Sequence, residues 1–191
     1  MGHRGDDPDG IPGLVEAIMM NDATASQQTL KRWIAAGLTS GLLLNTSAWF
    51  LWPRLDPITS ASDRLLLAVQ CTAGVGIVTL LMLQGLWRLR DTPDAEDPLA
   101  NAESRSFRIN QRVLTNTIEQ AWIFVPLYLA LAIRMQPEHV HMLPALMTIW
   151  CAGRLAFWAG YRYALHARAS GMDWTTVTTL VTAIWLSATF M

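Results

Sequence analysis

The sequence predicts an all-α membrane protein built as a bundle of transmembrane helices. Of its 191 residues, 52% are hydrophobic, only 15% are charged, and nine are tryptophans. The mean hydropathy is positive, at +0.26, which is typical of chains embedded in lipid rather than folded around one soluble core. The apolar residues come in long continuous blocks, and such blocks satisfy their own backbone hydrogen bonds in lipid only as helices.

The first 30 residues differ in composition from the rest of the chain. They are rich in Gly, Pro and Asp, have no cleavable signal pattern, and contain only brief apolar islands at 14–15 and 17–20. We expect a flexible tail over residues 1–30, loose or with a short interfacial helix, followed by a transmembrane helical domain over residues 31–191.

Five apolar blocks follow the tail, each close to the roughly 20 residues that a 30 Å hydrocarbon layer requires. Prolines interrupt the first three connections between blocks, and a glycine precedes the last block. The predicted spans are 33–52, 65–87, 113–133, 140–161 and 174–191.

Positive charge is divided unequally between the two sides of this arrangement. With five spans, the N-terminal tail and the second and fourth loops share one side, which carries nine of the 14 Lys and Arg residues. The opposite side carries three, and Arg112 and Arg154 lie within or at the edge of spans. Because Lys-rich and Arg-rich loops remain in the cytoplasm, we predict a multi-pass integral membrane protein with a cytoplasmic N-terminus and its C-terminus on the opposite side.

The third span carries a polar stripe, because Arg112, Asn116 and Glu119 are spaced i, i+4 and i+7 on one helical face. An ionised group in a span costs about 2.5–3.5 kcal/mol on insertion scales, so the stripe needs partners. It either forms an internal ion pair that joins helices or lines a polar pocket open to the cytoplasm. The pocket is favoured because arginines outnumber acidic partners at this membrane level, where an anionic ligand would neutralise them. The further arginines at this level are Arg88, Arg105 and Arg108.

The fourth span places Arg154, Phe157 and Tyr161 on one face, and Arg168 follows about two turns later. Taken alone, a snorkelling Arg154 and an interfacial Tyr161 explain this pattern structurally. Both polar stripes, however, point to the same side of the membrane, which favours one shared site.

These separated features together resemble the MAPEG family, the membrane-associated proteins in eicosanoid and glutathione metabolism. Its members carry an Arg-x-x-x-Asn-x-x-Glu pattern, which Arg112, Asn116 and Glu119 match. A following family helix has an Arg and a Gly-Tyr pair, similar to Arg154 and the pair at 160–161, and the first family helix ends in arginine, as 88–90 does here. The resemblance runs from residue 88 to residue 191.

The resemblance implies a four-helix MAPEG-like bundle, here with one extra N-terminal transmembrane helix, that forms a homotrimer. Glutathione would bind as a co-substrate between neighbouring subunits on the cytoplasmic side. Arg168 is similar in placement to the arginine that activates the glutathione thiol, with Tyr161 as the second catalytic candidate. The residues implied to line the tripeptide site are Arg88, Arg112, Asn116, Glu119, Arg154 and Tyr161.

The chemistry of these residues suits glutathione, which offers two carboxylates for arginines and an ammonium group for Glu119. Two features depart from the family pattern. Members with eicosanoid synthase activity have Tyr or His where this chain has Phe157, so eicosanoid synthesis is not supported. The first span, 33–52, is additional to the four-helix plan, and we expect it on the periphery of the bundle.

We therefore predict a glutathione-dependent transferase or peroxidase acting on hydrophobic electrophiles or lipid hydroperoxides dissolved in the membrane. The alternatives are a non-catalytic lipid-binding scaffold of the same family and a small transporter, although the sequence has neither the inverted repeat nor the broken helices of a transporter. The net charge of −1 gives no indication of a nucleic-acid partner, and we expect no metal site.

Overall fold

The computed structural model describes residues 10–90, 103–163 and 166–191, with side chains for residues 24–89, 103–163 and 166–191. These residues form α-helices and one 3-10 turn at Pro137–His139, and no strand occurs among them. The all-α prediction is confirmed. The helices are α1 (Gly10–Leu51), α2 (Ala61–Cys71), α3 (Ala73–Arg90), α4 (Arg105–Arg134), α5 (Met142–Tyr163) and α6 (Arg168–Ala188).

Four helical stretches are long and apolar enough to cross a membrane, and they coincide with the first four predicted spans. The chain is therefore an integral membrane protein. Two helices, α2 and α3, make up the second stretch; only Thr72 separates them, and its N–H still bonds to the Ala68 carbonyl at 3.1 Å. The four stretches are Thr24–Leu51, Ala61–Leu89, Arg105–Arg134 and Pro137–Tyr163.

The fifth predicted span, 174–191, overlaps α6, which is less apolar than the other four. Five threonines between residues 175 and 182 lower its hydropathy. Each of their hydroxyls donates to a carbonyl of the same helix, at 2.8 to 3.0 Å. The threonines therefore leave no donor unsatisfied, and α6 remains our proposal for the fifth span.

The beginning of α1 differs from the tail expected over residues 1–30. The helix starts at Gly10 and continues without a break to Leu51. Pro12 falls in its first turn, where a missing N–H costs no intrahelical hydrogen bond, and no further proline occurs before Pro53. Residues 1–9 lie outside the described residues.

Successive passes of the chain run in opposite directions, so helix ends collect at two ends of the bundle. At one end, Ser26 Oγ in the first half of α1 lies 3.4 Å from His166 Nε2, just before α6. At the other end, the rings of Trp49 and Trp185 are 5.2 Å apart. We call the first the arginine end, because the arginines at 88, 105, 108, 112, 154, 162 and 168 lie toward it, and the second the opposite end.

The apolar core lies between α4 and α5. Phe124 of α4 stacks on Trp150 of α5 with ring centroids 5.3 Å apart, and the Tyr128 hydroxyl donates to the Leu143 carbonyl at 3.0 Å. All three rings are fully buried. This core holds α4 and α5 in a fixed register, which sets the relative positions of the two polar stripes.

Glycines bring α6 close to the helices on both of its sides. A Cβ atom added at Gly171 would lie 2.6 Å from the Phe157 Cα of α5, and one added at Gly41 would lie 3.3 Å from the Val177 Cβ. On α1, Gly37 and Gly41 form a G-x-x-x-G pattern, which allows close helix packing in membranes. Across the same contact, Trp174 Nε1 donates to Ser40 Oγ at 2.7 Å. Thus α6 is held between α5 and α1, and α1 packs on the outside of the bundle.

Candidate functional site at the arginine end

The predicted stripe of α4 lines one cavity. Arg112, Asn116 and Glu119 form its wall together with Glu103 and Arg108, and its volume is about 540 Å³. Arg112 and Glu119 are exposed. In the part of the chain that the structure describes, they form no ion pair with each other or with any other residue. The cavity therefore presents a free cation and a free carboxylate about two helical turns apart.

Behind this cavity lies Arg154, which is completely buried. Its Nη2 donates to Asn116 Oδ1 at 3.1 Å, and its guanidinium lies 4.3 Å from the ring centroid of Phe157. The side chain does not snorkel toward water, and it is not part of the cavity wall. Arg154 thus holds the Asn116 amide so that the NH₂ group of Asn116 is left to face a ligand.

Tyr161 and Arg168 form a pair at the start of α6. Arg168 Nη1 donates to the Tyr161 hydroxyl at 2.7 Å, and the guanidinium lies 4.8 Å from the centre of the tyrosine ring. Because the tyrosine oxygen accepts from Arg168, its own proton remains available to an anion. The close approach of the end of α5 to the start of α6 supports the pair, since a Cβ at Gly160 would lie 2.6 Å from the Arg168 Cα.

A small cavity of about 230 Å³ connects this pair with the stripe of α4. Arg112 and Asn116 form one wall, and Tyr161 and Arg168 form the other. Phe157 closes its inner side, edge-on to Tyr161 with ring centroids 5.2 Å apart. The structure therefore brings residues from the two predicted stripes and the start of α6 into one place.

Arg88 lies in a separate and larger cavity, of about 840 Å³, between α3, α4 and α5. Tyr161 belongs to the walls of this cavity and of the small one, whereas Glu119 and Arg88 share no cavity within one chain. The small cavity shares Tyr161 with this cavity and shares Arg112 and Asn116 with the cavity of Glu119, so it lies between Arg88 and Glu119.

The wall around Arg88 contains polar residues that the sequence interpretation missed. Asn110 Oδ1 accepts a hydrogen bond from Trp158 Nε1 at 2.7 Å, and the Arg162 guanidinium lies 5.6 Å from the Trp158 ring. Asn110 precedes Arg112 by two positions and so faces the other side of α4. Asn110 stands three residues after Phe107 and three before Val113, and an amide on this apolar helical face was the available signal.

Positive charge dominates these three cavities. Six arginines and two glutamates line them, so the net potential favours an anionic ligand held by guanidinium groups. Within the described ranges, no group of three His, Cys, Asp or Glu side chains comes close enough to hold a metal ion. The arginines of these cavities are suited to binding an anion and to stabilising a developing negative charge.

Comparison with known proteins agrees with this arrangement. The model of the MAPEG family matches residues 67–189, a range that contains every predicted site residue and leaves α1 outside. No curated protein and no solved structure matched the chain.

Proposed function

The chain belongs to the MAPEG family, and we propose that it is a glutathione-dependent transferase or peroxidase acting on hydrophobic electrophiles or lipid hydroperoxides. Family membership makes it a membrane protein of eicosanoid and glutathione metabolism. The observation that carries the finer proposal is the small cavity that joins Arg112 and Asn116 to the Tyr161–Arg168 pair.

In this proposal the charges of glutathione meet complementary groups. The two carboxylates of glutathione pair with the guanidinium groups of Arg112 and neighbouring arginines, and its ammonium group pairs with the free carboxylate of Glu119. The amide of Asn116, oriented by Arg154, donates to the peptide. Arg154 then acts through Asn116 as a positioning residue rather than through direct contact.

We propose a homotrimer because the polar stripe of α4 is not covered by other residues of the same chain. Arg112 and Glu119 are exposed on the surface of α4, and Arg88 lies in a different cavity of the same chain. If glutathione lies between copies, Arg88 contributes from the adjoining copy, and the open side of the stripe is covered.

The proposed chemistry is centred on the sulfur of glutathione. A guanidinium beside a thiol lowers the thiol pKa from its reference of about 8.5, and the thiolate is the nucleophile. Arg168 supplies this charge, and the Tyr161 hydroxyl donates a hydrogen bond to the sulfur. The thiol proton leaves to solvent; the thiolate then forms a carbon–sulfur bond as the leaving group departs with the bonding electron pair.

Eicosanoid synthesis is not proposed, because Phe157 carries neither a hydroxyl nor an imidazole. Its ring packs against Arg154 and Tyr161 instead. The non-catalytic scaffold of the same family would not require the arginines to remain free, and the structure leaves Arg112 without an acidic partner among the described residues.

The deciding experiment replaces Arg168. Arg168→Ala should leave glutathione affinity within several-fold and lower turnover of a chloro-nitroaromatic substrate about tenfold or more, the effect of roughly one pKa unit of lost thiolate stabilisation. The thiolate absorbance near neutral pH should fade in parallel. Arg168→Lys should recover part of both losses, because a point charge still stabilises an anion.

Arg32→Ala is the matched control, since Arg32 is an exposed arginine of α1 outside all three cavities. It should change neither affinity nor turnover. Equal losses of affinity and turnover in Arg168→Ala would make Arg168 a binding residue and transfer the activating role to Tyr161. Unchanged turnover in both Arg168 variants would refute the role of Arg168 in activating the thiol, and absence of turnover in the wild-type chain would favour the scaffold.

A further inference from the structure

A cleft opens between the last turns of α1 and α6, at the opposite end from the arginine site. Its volume is about 510 Å³, and its walls are apolar except for Asn45 and Thr46. Phe50 and Ile184 form its rim and are 70% and 69% exposed. Since both helices are embedded in lipid in the proposed topology, this cleft faces the acyl chains of the bilayer.

A polar cavity adjoins the cleft. Trp185 and Ala188 belong to the walls of both spaces, and the second space, of about 340 Å³, is lined by Arg134, Gln136 and His139 at the ends of the helices. His139 packs against the tryptophans of the cleft, with ring centroids 4.8 Å from Trp49 and 5.7 Å from Trp185. An apolar groove beside a cationic chamber matches the polarity of an amphiphile.

Arg134 is the cation of this chamber, and most of its hydrogen-bonding capacity is free. Its Nη2 donates to the Thr189 carbonyl at 3.0 Å, and the guanidinium lies 4.4 Å from the Phe190 ring centroid. Capping the end of α6 in this way occupies one of the five N–H donors of an arginine. Among the described residues, no carboxylate lies within ion-pair distance of it.

We propose that the cleft and the chamber together bind a long-chain carboxylate, with the chain between α1 and α6 and the carboxylate on Arg134. A planar carboxylate matches the planar guanidinium donors that remain. A fatty acid anion fits because a single arginine lines the chamber among the described residues, and one guanidinium pairs with one carboxylate. The site is independent of the proposed glutathione chemistry, and it requires α1, which the family model does not cover.

The polyene fatty acid cis-parinaric acid is a suitable probe, because Trp49 and Trp185 line the cleft and transfer excitation energy to it. The purified full chain in detergent should bind the probe saturably. Arg134→Gln should weaken binding about tenfold or more, as expected for a lost hydrogen bond between charged groups. Arg134→Lys should weaken it less. Arg32→Gln, at an exposed arginine in the middle of α1 and outside the cleft, should not change it.

The methyl ester of the probe separates the two parts of the site. It retains the chain but not the charge, so it should bind more weakly than the acid and should not respond to Arg134→Gln. Thr46→Trp places an indole in the cleft and should block both the acid and the ester. Helical circular dichroism and the unfolding midpoint of each variant establish that the fold persists.

The proposal fails if acid and ester bind equally to the wild-type chain, because the chamber then contributes nothing and the cleft takes up acyl chains without selection. It also fails if Arg134→Gln and Thr46→Trp both leave binding of the acid unchanged. A change in oligomer size with Thr46→Trp, without loss of probe binding, would assign the cleft to a second copy of the chain.

Discussion

Gly171→Ala tests whether the close packing of α5 and α6 positions the catalytic pair. The added Cβ would meet the backbone N of Phe157 most closely, and it would lie 2.6 Å from the Phe157 Cα and 2.7 Å from the Ala156 carbonyl carbon. These are backbone atoms, which cannot rotate away. Moving the Cβ to the ordinary contact distance of 3.4 Å from the Phe157 Cα requires α6 to shift by at least about 0.8 Å from α5, and the closer Phe157 N requires more. Overpacking of this kind costs about 1–3 kcal/mol.

The same movement reaches Arg168, one helical turn before Gly171. Adding about 0.8 Å to the 2.7 Å between Arg168 Nη1 and the Tyr161 hydroxyl brings the pair to the limit of a hydrogen bond. A misplacement of about 1 Å costs up to roughly 100-fold in rate. We therefore expect a lower unfolding midpoint in detergent together with a lower glutathione turnover.

The control is Gly76→Ala. A Cβ at Gly76 meets no atom within 4 Å, and alanine is the better helix former by about 1 kcal/mol, so the midpoint should stay or rise while turnover stays constant. If Gly171→Ala behaved in the same way as Gly76→Ala, α5 and α6 would not approach as closely as the structure shows, and the argument for packing control of Arg168 would be wrong.

Two further predictions concern binding and topology. Arg154→Met should weaken glutathione binding about tenfold, because Asn116 loses its charged donor. The unfolding midpoint should nevertheless stay constant or rise, because an apolar side chain replaces a buried ion that has no acidic partner among the described residues. Calorimetry measures the affinity and thermal melts measure the midpoint; a lower midpoint with unchanged affinity would contradict the positioning role. Reporter fusions should place the N-terminus and Asp97 in the cytoplasm, and Pro57 and the C-terminus outside; an external signal at Asp97 would overturn the five-span topology.

The sequence predicted the helices well where hydropathy decides, and less well where it does not. For four predicted spans, most of the predicted ends lie within a few residues of the ends of the corresponding helical stretches. The lipid layer fixes the length of an apolar helix, which makes such ends predictable. The start of α1 was missed, because residues 10–30 are polar enough to resemble a tail. The threonines of α6 lower its hydropathy, although their hydroxyls bond within the helix and present no free donor.

For the candidate site, helical spacing predicted which residues share a face but not which helices meet. The i, i+4, i+7 rule placed Arg112, Asn116 and Glu119 together, as the structure does. No spacing rule reveals that Arg154 is buried behind Asn116, or that Arg88 faces a cavity on the other side of α4. Those facts depend on the packing of α4 against α3 and α5, which spacing within one helix does not encode.

The position of α1 separates it from the proposed surface between copies. The helix attaches chiefly to α6 and, to a lesser extent, to α5, while the exposed stripe of α4 remains uncovered. Because α1 also lies outside the range that the family model matches, a chain without α1 should keep the surface through which copies would assemble and lose the cleft between α1 and α6. Removal of one helix would therefore separate the proposed assembly from the proposed binding of a fatty acid.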